Sequence, residues 1–255
     1  MRALCILYNI FKAKGLPINF IDSEDCSKKN LYLCIVIRKI VVTADGSKTL
    51  QMVDWQEQYH SMHGAIQEAY HVFIKNGLAL FKDREISILE IGFGTGLNAF
   101  ITFLEANSRG LQVHYHGVEA YPVSQEEAVG MQYVAALKAH KYAAVFDQMH
   151  RSSWENKKVF SAFFSLVKKK LKFQEITDQN CYDLIYFDAF GYRVQPELWS
   201  EDIFLKMFIA LKPGGVLVTY AAKGSVRRAM ITVGFAVERL EGPPGKREML
   251  RATKP

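Results

Sequence analysis

The chain has 255 residues, 49% of them hydrophobic, which is enough for one large α/β domain with a full core and excludes a mainly disordered protein. The formal net charge is +6, and the segment from Lys223 to Pro255 holds eight basic against three acidic residues, a clustering that favours a polyanionic partner such as nucleic acid but also occurs on solvated surfaces. The sequence has no run of 18 apolar residues, no signal-peptide cleavage site and no CxxC pair, so we expect a cytoplasmic protein with reduced cysteines and no transmembrane helix.

The first 84 residues divide into two segments. Residues 1–40 alternate short apolar pieces with a polar insert, and we assign this N-terminal extension no function. Residues 41–84 are predicted to form a small subdomain in which an Asp-Gly-Ser turn joins the two strands of a hairpin. A helix is predicted over residues 54–78, since helical spacing relates four apolar residues and Gly77 follows as a stop signal. These four are Ala65, Ala69, Val72 and Phe73.

From residue 85 to residue 255 the pattern changes to apolar strands that alternate with helices. Strands are predicted over 86–91, 111–119, 182–190 and 214–221. A helix that begins at Pro196 lies between the last two strands, and its predicted apolar face consists of Leu198, Ile203, Leu205, Phe208 and Ile209. This alternation predicts one α/β domain whose parallel sheet is covered by helices on both faces.

A glycine-rich loop follows the first of these strands, in the segment LEIGFGTGLNAF. Every second position carries an acid or a glycine: Glu90, Gly92, Gly94 and Gly96. Alternate glycines let the backbone turn sharply and let a ligand approach closely. A nicotinamide site would require G-x-G-x-x-G, but Leu97 stands at its third glycine. The observed spacing, with Glu119 after the next strand to accept hydrogen bonds from two ribose hydroxyls, favours S-adenosylmethionine; a structural turn without a ligand is the alternative.

A single carboxylate, Asp188, ends the strand in the segment YDLIYFDAF, between Phe187 and Phe190. Ligands of open α/β sheets bind at the carboxyl ends of the strands, so Asp188 should face the methyl group of the cofactor. If the acceptor is an alkyl amine with a pKa of about 10, its deprotonation at pH 7 costs about 4 kcal/mol. A buried Asp188 could accept the hydrogen bonds of that amine, although its negative charge also stabilises the ammonium form. The alternative is that Asp188 caps a turn or pairs with an arginine.

Other polar and aromatic residues have an ordinary structural interpretation. A second basic run comprises Lys168, Lys169, Lys170 and Lys172. His60, His63 and His71 share one predicted helix. The HxxH pair formed by His60 and His63 has no third metal ligand nearby, so we predict packing or substrate contact and no metal site. Trp55, Trp154 and Trp199 could stack on a nucleobase, but packing in the core or at its rim is the more common role of tryptophan.

Several segments, from about Val41 to the C-terminus, together resemble one known family. They are FGTGLN, FDAF followed by QPELW, TYAAKGSVRRAM, VGF and GPPGKREML. With this set the chain resembles the tRNA 5-methylaminomethyl-2-thiouridine methyltransferases, which comprise the free-standing MnmD proteins and the methyltransferase half of the bifunctional MnmC enzymes.

The resemblance implies a class I S-adenosylmethionine-dependent methyltransferase fold, which is Rossmann-like with a seven-stranded sheet whose last strand is antiparallel. It implies N-methylation of the 5-aminomethyl group of a wobble uridine in tRNA, giving 5-methylaminomethyl(-2-thio)uridine. The implied catalytic residue is Asp188. The implied cofactor-binding residues are Glu90, Gly92, Gly94, Thr95, Gly96, Asn98 and Glu119. The expected substrate-binding residues are Tyr59 and Phe190 at the active site and Arg227, Arg228, Lys246 and Arg247 at the tRNA phosphates, with surface salt bridges as the alternative for the last four.

Two departures from the family pattern stand out. Gly191 and Tyr192 follow the DAF motif where many members have Ala-Pro, so the loop there is expected to differ in shape. We expect no FAD-dependent oxidase domain after Pro255 and therefore a separate enzyme that supplies the aminomethyl group. The alternative functions are a small-molecule amine methyltransferase or aminopropyltransferase of the same fold, and a non-catalytic RNA- or cofactor-binding protein.

Overall fold

The structure is a computed structural model that describes residues 38–53 and 55–255. The extension predicted over residues 1–40 therefore lies almost entirely outside the described residues, as do Cys5, Cys26 and Cys34. Among the described residues no helix is both long and apolar enough to span a membrane.

A small antiparallel sheet forms the N-terminal part of the described chain. Its strands are β1 (Arg38–Val42), β2 (Lys48–Met52) and β3 (Glu57–Gln58), in the order β1-β2-β3. The predicted hairpin is confirmed, and Asp45 stabilises its turn because Oδ1 accepts hydrogen bonds from the Ser47 N–H at 3.0 Å and from the Thr43 hydroxyl at 2.7 Å.

The helix predicted over 54–78 is shorter than expected. Helix α1 (Ala65–Ala69) begins eleven residues later and continues as a π-helix (Tyr70–Lys75). The N-terminal part of the predicted segment instead pairs with β2, where Gln58 lies opposite Gln51 and the Tyr59 N–H donates to the Leu50 carbonyl at 2.8 Å. Sheet pairing thus overrides the local helix propensity. The four residues with helical spacing are all buried in the core.

The large sheet has eight strands in the order β10-β11-β9-β8-β4-β5-β7-β6. They are β4 (Glu85–Ile91), β5 (Gln112–Val118), β6 (Lys158–Ser161), β7 (Phe164–Lys169), β8 (Tyr182–Phe187), β9 (Leu211–Thr219), β10 (Ala236–Glu241) and β11 (Glu248–Thr253). Strands β4, β5, β7, β8 and β9 are parallel, and the last strand, β11, is antiparallel to both of its neighbours as expected. The sheet has one strand more than expected because β6 adds antiparallel to the edge of β7.

Helices cover both faces of this sheet. They are α2 (Leu97–Ala106), α3 (Gln125–Gly130), α4 (Tyr133–Ala136), α5 (Ala143–Arg151), α6 (Glu201–Ala210) and α7 (Gly224–Thr232). Because side chains alternate along a strand, β4 contributes Ile86 and Ile88 to the core on one face and Leu89 and Ile91 to the core on the other. Glu90 points to the same face as Ile88, the face that α2 covers.

The helix predicted from Pro196 differs in two respects. Pro196–Trp199 forms a separate 3₁₀ turn, and Ser200 caps the start of α6. The predicted apolar face is wrong at Leu205 and Ile209, which are 45% and 40% exposed. The buried face of α6 consists instead of Ile203, Phe204, Met207 and Ala210, the stripe that helical spacing brings to one side.

Candidate functional site

The glycine loop joins β4 to α2 and is tied to the end of β5. The N–H groups of Gly92 and Phe93 both donate to the carbonyl of Val118, at 3.0 and 2.9 Å. Gly92, Gly94 and Gly96 have φ angles of +89°, +48° and +72°, in the left-handed region that favours glycine. A Cβ at Gly92 would also lie 2.6 Å from the carbonyl oxygen of Asp188. Glycine is therefore required here both by conformation and by the close approach of the next strand end.

Glu119 follows β5 and faces the glycine loop. Its Oε2 accepts the Gly94 N–H at 3.1 Å, and its Oε1 accepts the Tyr121 N–H at 2.9 Å. Burial raises the pKa of Glu119, whereas these two backbone hydrogen bonds oppose the increase. The carboxylate is held rigidly at the wall of the cavity, with lone pairs left to accept further hydrogen bonds.

Asp188 follows β8 directly and is half-buried. Its backbone N–H donates to the Ile91 carbonyl at 2.9 Å, which fixes it beside the end of β4. The side-chain amide of Asn98, at the start of α2, donates to Asp188 Oδ2 at 2.9 Å and to Glu90 Oε1 at 3.0 Å. One amide nitrogen therefore bridges two carboxyl groups that come from adjacent parallel strands.

The surroundings of the two carboxyl groups raise the pKa of both. Burial, together with the negative charge of Glu68, raises the pKa of Asp188 from 3.8 to about 7, although the Asn98 hydrogen bond and the charge of Lys246 oppose this increase. Burial and the neighbouring Asp188 raise the pKa of Glu90 well above its ordinary value. Glu90 is fully buried, whereas Asp188 titrates near neutral pH.

A cavity of about 370 Å³ opens at the carboxyl ends of the central strands. It brings together eight of the predicted site residues: Tyr59, Gly92, Gly94, Thr95, Asn98, Glu119, Asp188 and Phe190. Glu90 lies behind Asn98, and Gly96 is packed at the start of α2 against His150, where a Cβ would lie 2.9 Å from Nε2. These two residues support the lining without forming part of it.

Aromatic rings form one wall of the cavity. Phe190 packs edge-on against Tyr59 and Trp55, with ring centroids 4.9 and 5.8 Å apart. The Tyr220 hydroxyl donates to the Ala189 carbonyl at 2.8 Å, which places this ring beside Asp188. Trp55 is 38% exposed at the cavity rim. Of the other tryptophans, Trp154 contacts Phe93 and Lys168, and Trp199 is buried in the core.

The loop after Asp188 is anchored on both sides. Arg193 Nη2 donates to Glu57 Oε2 at 2.7 Å and to the Trp55 carbonyl at 3.1 Å, which ties the loop to the N-terminal sheet. The Lys223 ammonium lies 3.5 Å from the centroid of the Tyr192 ring, which ties it to the start of α7. The Gly191-Tyr192 segment thus connects the cavity wall to two other elements.

The predicted tRNA-binding residues do not line the cavity. Arg228 and Arg247 are exposed, whereas Arg227 is half-buried and its Nε has no hydrogen-bond partner among the described residues. Lys246 differs from these three, because its ammonium donates to Glu68 and lies 3.8 Å from the centroid of the Tyr220 ring. In the second basic run, Lys168 is buried and donates to the His150 carbonyl, and Lys169 pairs with Asp178, so these two residues form no exposed basic surface.

Sequence reasoning missed several residues at the site. Arg38 lines the cavity and is buried, with its guanidinium held by Glu127 and by the Tyr121 carbonyl. Tyr220 directly follows β9, just as Asp188 directly follows β8. This shared position after a strand could have identified Tyr220 as a site residue from the sequence. Glu68 and Arg38 gave no such signal, because long-range pairing brings them to the site.

The three histidines of the predicted helix lie apart. His60 lines the cavity, its Nδ1 is 3.1 Å from the Thr49 hydroxyl, and burial lowers its pKa to about 4. His71 Nε2 lies 2.8 Å from the Glu241 carbonyl. Within the described part of the chain, no group of three or more histidine, cysteine, aspartate or glutamate side chains could hold a metal ion.

The chain is similar in sequence to known proteins. Residues 131–255 match the model of a family described as S-adenosyl-L-methionine-dependent methyltransferase. The tRNA 5-methylaminomethyl-2-thiouridine biosynthesis bifunctional protein MnmC of Delftia acidovorans is 31% identical over 211 residues, which cover 77% of this chain and 32% of the relative. The MnmC protein of Aromatoleum aromaticum is 31% identical over 227 residues, covering 84% of this chain and 35% of the relative. The chain thus spans about a third of the length of these relatives.

Solved structures show the same fold. MNMC2 from Aquifex aeolicus superposes with a TM-score of 0.62 at 22% identity, covering 98% of this chain and 83% of that chain. A spermidine synthase in complex with the transition state analogue AdoDATO superposes with a TM-score of 0.56 at 13% identity, covering 86% of this chain and 70% of that chain. These structures show that the fold is shared, and the matches in sequence to the family model over residues 131–255 and to the MnmC proteins show that the chain belongs to this family of S-adenosyl-L-methionine-dependent methyltransferases.

Proposed function

We propose that the chain transfers the methyl group of S-adenosylmethionine to the 5-aminomethyl group of a wobble uridine in tRNA, giving 5-methylaminomethyl(-2-thio)uridine. The similarity to the MnmC proteins, which are named for tRNA 5-methylaminomethyl-2-thiouridine biosynthesis, supports this substrate. The observation that carries the proposal is the position of Asp188, a carboxyl group with a pKa of about 7 that lines the same cavity as the glycine loop. Such a group suits the deprotonation of an amine.

The residues around the cavity fit S-adenosylmethionine. The glycine loop lines the cavity at Gly92 and Gly94 without side chains, and Glu119 is fixed by two backbone N–H groups so that it can accept ribose hydroxyls. When bound, the cofactor supplies an electrophilic methyl group on a sulfonium. We assign cofactor binding to Glu90, Gly92, Gly94, Thr95, Gly96, Asn98 and Glu119, with Glu90 acting through Asn98.

Asp188 is the proposed catalytic residue. Asn98 holds its Oδ2, so Oδ1 is the oxygen that we propose accepts a proton from the substrate ammonium. A pKa of about 7 in place of 3.8 makes Asp188 a better proton acceptor by about 4 kcal/mol, which offsets roughly half of the cost of transferring a proton from an ordinary alkylammonium to an ordinary aspartate. The amine lone pair freed by Asp188 would then be available to the methyl group that bound S-adenosylmethionine would supply.

The aromatic wall is the proposed site for the target base. Single-stranded bases in RNA complexes stack on aromatic side chains, and Tyr59, Phe190 and the exposed Trp55 present such rings beside Asp188. We assign contacts with tRNA phosphates to Arg227, Arg228 and Arg247, outside the cavity. Lys246 was expected to share this role, but its ion pair with Glu68 favours a different one, argued below.

The chemistry also constrains the preceding step. Transfer of one methyl group converts an aminomethyl group to a methylaminomethyl group, so the aminomethyl group must already be present on the uridine. We propose that a separate enzymatic activity supplies it. A tRNA substrate of this kind also supports a cytoplasmic location.

The decisive experiment is mass spectrometry of nucleosides from tRNA that carries 5-aminomethyluridine or its 2-thio form, after incubation with the protein and S-adenosylmethionine. We expect the aminomethyl nucleoside to gain the mass of one methylene group and Asp188→Asn to give no gain. The proposal is wrong if folded wild-type protein leaves this tRNA unchanged. Methylation or aminopropylation of free amines in the absence of tRNA would favour the small-molecule alternatives instead.

A further inference from the structure

Lys246 and Glu68 form an ion pair next to Tyr220, a residue that lines the cavity. Lys246 lies in the turn between β10 and β11. Two hydrogen bonds close this turn: the Lys246 N–H donates to the Pro243 carbonyl at 2.9 Å, and the Gly242 N–H donates to the Arg247 carbonyl at 3.2 Å. Glu68 lies on α1, is only 6% exposed, and accepts the Ser61 N–H at 3.1 Å through Oε1. Both partners are therefore held in place by the backbone around them.

Tyr220 connects this ion pair with Asp188. The Lys246 ammonium lies 3.8 Å from the centroid of the Tyr220 ring, a cation–π contact. The Tyr220 hydroxyl donates to the carbonyl of Ala189, the residue next to Asp188. A lysine that was expected to bind phosphate on the surface therefore packs against the cavity wall.

We propose that Lys246 and Glu68 are positioning residues that place two opposite charges beside Asp188 and hold Tyr220 against the cavity wall. The negative charge of Glu68 favours the protonated form of Asp188, and the positive charge of Lys246 favours the carboxylate. In the enzyme proposed above, this balance keeps Asp188 able both to accept and to release a proton near neutral pH. The catalytic meaning of this pair rests on that proposed function.

Burial shifts the pKa of the other titratable groups near Asp188 toward their neutral forms. The groups that interact with it come from six elements: Glu90 of β4, Tyr115 of β5, Tyr133 of α4, Tyr220 at the end of β9, Glu68 of α1 and Lys246 of the β10–β11 turn. Burial raises the pKa of all three tyrosines above its ordinary value of 10, so they carry no charge near pH 7, and burial also raises the pKa of Glu90 well above its ordinary value. His60, which faces the ion pair, is also neutral there because burial lowers its pKa to about 4. Glu68 and Lys246 are therefore the charges that bias Asp188.

The test is a direct titration of Asp188 by NMR, with the full chain labelled at the aspartate carboxyl carbon and with no cofactor or tRNA present. Asp188→Asn identifies the signal. We expect Lys246→Met to raise the titration midpoint by about one pH unit and Glu68→Gln to lower it by about one unit, because each variant leaves the opposite charge unbalanced. The double variant should titrate near the wild-type midpoint.

Three comparisons keep this test specific. Lys246→Arg retains the charge and should leave the midpoint unchanged, and the other aspartate signals report whether each variant is folded. Arg251→Met and Glu238→Gln disrupt an ion pair in the same β10–β11 hairpin, with 3.0 Å between its atoms, and should also leave the midpoint unchanged. Single-variant shifts of the same sign, or no shift in folded protein, would overturn the inference.

The pH dependence of kcat/KM for tRNA methylation supplies the second readout. The acidic limb of this profile should move to higher pH in Lys246→Met and to lower pH in Glu68→Gln, as the NMR midpoints do. Opposite NMR shifts without any tRNA methylation would support the role of the ion pair while refuting the proposed substrate. Methylation with unshifted midpoints would support the substrate and refute the role of the ion pair.

Discussion

Asp188 and Glu90 share the amide group of Asn98, yet their environments make them chemically different. Glu90 is fully buried beneath Asn98, so its charged form has no water to stabilise it. Asp188 opens onto the cavity and has the Lys246 charge nearby, so its pKa rises only to about 7. For both groups the desolvation outweighs the Asn98 hydrogen bond, because each pKa is raised despite that bond. Burial thus raises the pKa of both carboxyl groups that share this amide, and the pKa of Asp188 lies near neutral pH.

Asp188→Asn is predicted to change both activity and the pH dependence of stability. The pKa is raised from 3.8 to about 7 in the folded state, so the stabilisation given by protonated Asp188 is complete below about pH 4 and is lost as the pH rises through 7. Asparagine does not titrate, so the free energy of unfolding of the variant relative to wild type should increase over this range, by at most about 4 kcal/mol. Urea denaturation of both proteins between about pH 5 and pH 8 measures this difference.

Methyl transfer provides the companion measurement for the same substitution. Wild-type activity should rise with pH through about 7 as Asp188 loses its proton, and the variant should be inactive at every pH. A stability difference that is constant across the pH range would contradict the assignment of a near-neutral pKa to Asp188.

At the scale of elements, the connection between β4 and α2 determines the shape of the site. Two N–H groups of the glycine loop converge on the Val118 carbonyl at the end of β5, and the Asp188 N–H donates to Ile91 at the end of β4. Three parallel strand ends are thereby locked together. The left-handed φ angles of the glycines let the loop turn within this narrow space and enter α2.

Gly92→Ala is predicted to damage both stability and cofactor binding. The new Cβ would lie 2.6 Å from the Asp188 carbonyl oxygen and φ is +89°, so the substitution combines a clash with backbone strain of about 1–3 kcal/mol. Because relief of the clash must move the loop or Asp188, we expect S-adenosylmethionine to bind at least about tenfold more weakly. Calorimetric titration with S-adenosylmethionine measures this loss.

Gly46→Ala is the matched control for this prediction. Gly46, in the turn between β1 and β2, has a similar φ of +80°, but a Cβ added there would have no atom within 4 Å of it. We expect about 1–2 kcal/mol of destabilisation and unchanged cofactor affinity. Equal effects of the two substitutions on affinity would show that the contact between Gly92 and Asp188 is unimportant.

At the scale of the whole molecule, the N-terminal sheet completes the cavity that the large sheet begins. Arg38 of β1 reaches across to Glu127 of α3 at 3.1 Å, and both side chains are almost fully buried. Arg193 makes a second connection from the loop after β8 to Glu57 of β3. The cavity wall at Tyr59 and Trp55 is therefore held by ion pairs between parts of the chain that are distant in sequence.

Arg38→Met is predicted to destabilise the protein by about 3–5 kcal/mol, because it leaves the buried carboxylate of Glu127 without its partner. Denaturant unfolding measures this loss. The double variant with Glu127→Gln should recover part of it. Arg151→Met is the control, since the Arg151–Asp147 pair is exposed and its loss should cost about 0–1 kcal/mol. Similar costs for the two arginine variants would contradict the structural role assigned to Arg38.

The sequence by itself determined the features that depend on near neighbours in the chain. Apolar runs predicted β4, β5, β8 and β9, and alternate glycines after β4 predicted a loop that only glycine can form. Asp188 was singled out because it ends an apolar strand, and parallel strands end at one edge of the sheet. The hairpin at Asp45 could also be predicted from near neighbours, because its turn is stabilised by residues within two positions of Asp45.

Only the tertiary structure decided where distant segments meet. The residues near Tyr59 form a strand edge instead of a helix because β2 pairs with them, and α6 buries the stripe that faces the sheet. Lys246 and Glu68 are 178 positions apart and Arg38 and Glu127 are 89 apart, so no local pattern could reveal either pair. Local patterns specify strands and turns through short-range sterics and hydrogen bonds, whereas the charges around Asp188 depend on the packing of the whole chain.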